Sequence, residues 1–192
     1  MSGSSATPTS IVNQAVALFG NDIPPVTGTY PTFDGSVAGV NAAKLYAPCV
    51  ATVARQFGWD FSRNWVELAT TGNTPPLGWA YEYEYPSGAA ELRQLVPPAI
   101  SDPNNPLPVD WSVGNVMVSD QPTKVIWANQ AGALAVITNL PPPSTWDPLF
   151  QETVVRLLAS EMATAIAGKA DTSRDLLEQS GGFAGVGITR PD

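Results

Sequence analysis

The chain reads as an α+β protein: a terminal α-helical bundle of about four helices with an inserted small antiparallel β-region. Three observations lead there. Apolar residues recur at helical spacing at both ends of the sequence, segments alternating with period two fill its middle, and proline- and glycine-rich breaks separate the blocks. On this reading residues 1–70 and 141–180 form the bundle, behind a flexible leader over 1–8. Residues 71–140 are the β-rich insertion, and 181–192 a flexible C-terminal tail.

The first helix is expected over Ile11 to Phe19, capped by Thr9 or Ser10 and stopped by Gly20, with Val12, Ala15, Val16 and Phe19 on its apolar face. Residues 21–35 carry Pro24, Pro25, Gly28 and Pro31 and read as a loop. A second helix follows from Ser36 to Phe57. Its stripe, Gly39, Ala43, Tyr46, Val50, Val53 and Phe57, is continuous, and Pro48 inside it predicts a kink. Residues 60–70 alternate polar and aromatic and are expected to be partly extended.

Trp79 to Tyr85 is a period-2 strand with Tyr81, Tyr83 and Tyr85 on one face and Glu82 and Glu84 on the other. Further strands are expected at Leu92 to Val96, Val109 to Val113, Val116 to Val118, Lys124 to Ala128 and Ala133 to Leu140, with turns at Gly114-Asn115 and Asn129 to Gly132. Pro141 to Pro143 returns the chain to helix. Asp147 caps and Pro148 opens a long helix to Ala167, with Phe150, Val154, Leu158 and Met162 in line. Ala159 and Ala163 on its other faces permit close helix contact. A fourth helix is expected from about Asp171 to Gln179.

Composition excludes much chemistry. Among 192 residues there are 17 acidic and 9 basic ones, a net charge of −8, which disfavours adsorption to nucleic acid or anionic membranes. No apolar run is long enough to predict a membrane span. The single cysteine, Cys49, forbids an internal disulfide, and the absence of histidine removes Ser-His-Asp and Cys-His catalysis and every histidine-based metal site. Gly168-Lys169 is no phosphate loop: Ala163 stands where the first glycine is needed and Ala170 where the Ser or Thr is. No lysine follows a serine by three residues, no EF-hand spacing occurs, and no cofactor site is read. Glu82 and Glu84, with Asp60, are the carboxylates a glycosidase would need. Alternation on a solvated strand face accounts for the first two without any substrate. Trp59, Trp65 and Trp79 exceed what a small core needs, which makes partly exposed rings candidates for a protein interface.

Five landmarks in order carry a family likeness: Leu18-Phe19-Gly20, Tyr46-Ala47-Pro48, Trp59-Asp60-Phe61, Tyr81 to Pro86, and Asp147 to Phe150. The chain resembles the phage head-to-tail adaptor family, the tail tubular protein A group of short-tailed phages. The resemblance implies a non-enzymatic structural virion protein of the phage neck. It implies a homo-oligomeric, dodecameric ring that docks on the portal protein, meets a downstream nozzle protein, and passes DNA through its lumen without reading sequence. The host cytoplasm would hold it before assembly. Interface residues expected on this basis are Trp59, Trp65, Ala159, Ala163, Phe183 and Ile188. The alternatives are a tail-associated cell-wall hydrolase, or another minor virion component such as a tail terminator.

Overall fold

In the computed structural model of the chain, residues 6–18, 23–98, 107 and 109–167 are described. The chain divides into two compact units, Met1–Phe57 with Pro141–Asp192, and Gly58–Leu140. The break after Phe57 falls earlier than the residue 70 expected from sequence.

The first unit holds the three helices found among the described residues. Helix α1 (Pro8–Leu18) starts one turn earlier than expected. Pro8 occupies its first position, and Thr7 and Ser10 bond reciprocally: the Ser10 N–H donates to Thr7 Oγ1 (3.1 Å) and the Thr7 N–H to Ser10 Oγ (2.9 Å). Asn13 then clamps the following segment, donating to the Val26 carbonyl (3.0 Å) and accepting from the Val26 N–H (2.7 Å). Strands β1 (Gly28–Thr29) and β2 (Thr32–Phe33) pair as a short hairpin inside the stretch read as loop.

Helix α2 (Val37–Gln56) contains Pro48 in its interior and is capped by Ser36, whose hydroxyl accepts from the Gly39 N–H (3.0 Å). Its buried stripe runs through Ala38, Ala42, Tyr46, Cys49, Val50 and Val53, rotated slightly from the one expected, with Ala43 only half-buried. Helix α3 (Pro148–Ala167) is capped by Asp147, which accepts from the Leu149 N–H (2.8 Å). Phe150, Val154, Leu158 and Met162 are all fully buried on it, and α3 packs against both α1 and α2.

Among the described residues the helical unit has three helices and a β-hairpin, which corrects the expected four-helix bundle. The place of a further element over α2 is taken by the β1–β2 hairpin: Tyr30 packs on Tyr46 (ring centroids 5.0 Å apart) and on Phe33 (6.0 Å). These contacts help bury Tyr46 of α2 and Phe33 of β2. The helix expected over residues 171–179 lies outside the described residues.

The second unit is antiparallel β. One sheet has the order β3 (Arg63–Glu67), β8 (Leu134–Thr138), β5 (Glu91–Val96); the other has β4 (Tyr81–Glu84), β7 (Gln121–Ala128), β6 (Trp111–Val118). With the β1–β2 hairpin this makes eight strands in three small antiparallel sheets among the described residues. The two larger sheets are laced together on both sides. Beyond β3 the chain crosses to the second sheet, where the Glu84 N–H donates to Ala69 O (2.9 Å) and the Thr71 N–H to Glu82 O (3.1 Å). Before β6, the Val109 N–H donates to Leu95 O (3.0 Å). The result is a partly closed barrel around Leu68, Tyr83, Leu95, Ile126, Ala135 and Ile137.

Two sequence expectations are corrected here. Gly114-Asn115 is no turn: it lies within an unbroken β6, and the hairpin turns at Ser119-Asp120, both at positive φ (50° and 62°), between the paired Val118 and Gln121. Glu82 is not on a solvated face but only 3% exposed.

Candidate functional site

The outer face of the β4–β7–β6 sheet holds a buried polar cluster built on Glu82. Strand alternation sends Tyr83 to the core and Glu82 outward, directly opposite Trp127 of β7. The segment after the β3 crossover then folds over it. Glu82 Oε1 accepts from Thr71 Oγ1 (2.8 Å) and Asn73 Nδ2 (2.9 Å), and Oε2 accepts from Trp127 Nε1 (2.8 Å). Desolvation alone would raise this carboxyl. The hydrogen bonds from Trp127, Asn73 and Thr71 outweigh it and hold the group below the usual glutamate range. Glu82 is thus a satisfied buried anion that ties the 71–73 segment to two strands.

Gly114 explains how Trp127 lies where it does. Any side chain at 114 would run into the indole, so the ring rests on the bare backbone of β6. A groove of about 360 Å³ is lined by Thr71, Asn73, Glu84, Val116, Thr123 and Val125 among others. Lys124 lies over the face of Tyr85, 3.7 Å from the ring centroid.

The far border of this sheet is the edge of β6. In a two-residue hairpin the closing pair, Val118 and Gln121, exchange hydrogen bonds, so residues of that parity bond to β7. Trp111, Val113, Asn115 and Met117 then turn their backbone groups the other way. Val109, of the same parity, does so toward Leu95. From Trp111 to Val118 no further strand pairs with this edge among the described residues. The strand ends apolar and open, with Met117 69% and Val118 47% exposed.

The expected interface residues fall in both units, and two of them lie outside the described residues. Trp65 lies on β3 and is 40% exposed, and Trp59 is half-buried with its ring 6.2 Å from that of Phe61. Ala159 and Ala163 are fully buried in the helical unit, where their small size serves packing within the chain. Phe183 and Ile188 lie outside the described residues. Of the other carboxylates, Glu84 is exposed, and Asp60 pairs with Arg63 at 3.1 Å on the surface. Among the described residues no group of three or more acidic or cysteine side chains could hold a metal ion. Burial, then the neighbouring Glu161 charge, pushes the Cys49 thiol up to about 12, so it stays protonated and unreactive.

Helix α2 is long and apolar enough to cross a membrane, contrary to the sequence expectation. Ala42, Val53 and Ala54 on it are fully buried.

Trp127, Gly114 and the β6 edge escaped the sequence reading. The misplaced turn hid all three, because splitting β6 at Gly114 removed the long strand on which they depend. No family model and no curated protein matches this chain.

Proposed function

We propose that the chain is a structural subunit of a short-tailed phage virion, an adaptor that assembles as a ring between portal and tail. The observation that carries this reading is the open β6 edge with its exposed apolar end. A long edge strand without proline or lysine to blunt it is a ready template for a strand from another chain. The order of the five sequence landmarks supports the same reading. The net charge of −8 suits a lumen through which DNA slides, since acidic walls offer phosphate no sticking points.

The wall-hydrolase alternative needs a carboxylic acid held above its usual range. Glu82 is held below it by the donors Trp127, Asn73 and Thr71, which argues against Glu82 as that acid.

The test is the native mass of the chain alone and with the portal ring of its phage. A portal-bound ring of copies is expected. A monomer indifferent to the portal overturns the proposal.

A further inference from the structure

We infer that the β6 edge is completed by the C-terminal segment of a second copy, residues 183–190, added as an antiparallel strand. This rests on the assembly reading above and names the contact that would join one copy to the next.

The edge specifies what it can take. It presents the backbone groups of Trp111, Val113, Asn115 and Met117 over a strand of eight residues. Its occupant must supply a backbone ladder of similar length and apolar side chains to cover Met117 and Val118. The segment Phe-Ala-Gly-Val-Gly-Ile-Thr-Arg matches on each count. It spans the same length. Ala184, Val186 and Ile188 alternate on one side with β-branched residues at two of the three positions, and Gly185 and Gly187 on the other side allow close approach.

Charge agrees with an antiparallel direction. That direction sets Phe183 beside the exposed Met117–Val118 end and Arg190 beside Asp110, the exposed acid at the start of β6. The chain between Ala167 and residue 183 can span at most roughly 50 Å when extended. Because donor segment and acceptor edge are different surfaces, the contact is head-to-tail and can propagate around a ring.

The test is residue-resolved amide exchange on the full chain and on Ile188→Asp. In the unsubstituted chain the outward N–H groups of Val113, Asn115 and Met117 are expected to exchange at least about tenfold more slowly than in Ile188→Asp. Dilution should abolish the difference, while Gly114 and Val116, bonded to β7, stay protected throughout. Asn115→Pro, which removes one outward donor and spares the β7 ladder, should likewise expose Val113 and Met117, with circular dichroism confirming the fold.

Equal exchange in both chains overturns the inference. So does protection that survives Ile188→Asp, which would place another strand such as a second β6 on the edge. Protection insensitive to dilution also overturns it, because the segment would then lie within one copy. If exchange fails while the portal still gathers a ring, the strand contact falls and the adaptor reading stands. If the unsubstituted chain ignores the portal, the adaptor reading itself falls.

Discussion

Gly114 lies beneath the indole of Trp127 so closely that even a methyl group there would collide with ring atoms Cη2 and Cζ3. The glycine is a packing requirement and not a turn residue, since β6 is regular on both sides of it. Gly114→Ala should therefore lower stability by about 1–3 kcal/mol through overpacking. Trp127→Phe removes the outer ring atoms and should relieve part of that clash. The double variant is then more stable than the sum of the two losses by at least about 0.5 kcal/mol. Urea unfolding measures this, and strict additivity would refute the contact.

The same indole donates to Glu82, which gives a second prediction. Glu82→Gln replaces an acceptor-only group by one that carries its own N–H donors. One of the three donors from Thr71, Asn73 and Trp127 must then face an amide N–H, at about 1–3 kcal/mol. The pH dependence follows from the lowered carboxyl. Its stabilisation is complete above the unfolded glutamate value of 4.5 and is lost as pH falls through the folded value below it. The stability gap between the native chain and Glu82→Gln should be widest near pH 7 and narrow in acid. A gap independent of pH would show that the carboxylate charge is not what the site uses.

A third prediction concerns the start of α2. Asp34 accepts from the Thr27 hydroxyl (3.0 Å) and N–H, and from the Ser36 N–H (3.0 Å) and hydroxyl. The Ser36 hydroxyl bond first, then the Thr27 and Ser36 N–H groups, lower its carboxyl from 3.8 to about 2. Ser36→Ala should cost about 1 kcal/mol as a lost helix cap. Asp34 stabilises fully above its unfolded value and loses that contribution as pH falls through about 2. Melting temperatures of Asp34→Asn and the native chain should differ at pH 6 and converge toward pH 2. A constant offset would count against the hydrogen-bonded carboxylate.

Elements governed by local pattern were legible in the sequence. The cap at Asp147, the proline at 148 and the spacing from Phe150 to Met162 define α3, and each holds in the structure. The period-2 alternation of β4 likewise put the three tyrosines on one face, with Tyr83 reaching the core. What failed depended on contacts far apart in sequence. Glu82 looks solvated until the 71–73 segment folds over it, and Gly114 looks like a turn until Trp127, in another strand, is placed on top of it. The β6 edge was invisible for the same reason: whether a strand lies at an edge is a property of sheet order, which alternation does not encode.

The alanines of α3 mark the sharpest contrast between an intramolecular and an intermolecular reading. Small residues on a helix face suit either. Ala159 and Ala163 are fully buried in a single chain, so they lie where α3 meets its own neighbours. Ala163→Leu should then destabilise the helical unit by about 1–3 kcal/mol through overpacking, and should affect association only in proportion to the folded fraction. Trp65 makes the opposite test. At 40% exposure on β3, Trp65→Ala should cost about 1–3 kcal/mol, so a loss of ring formation on the portal at unchanged folded fraction would assign the residue to an interface. Thermal unfolding and native mass, read on the same samples, separate the two effects. An Ala163→Leu chain that melts normally but no longer associates would return that residue to the subunit interface.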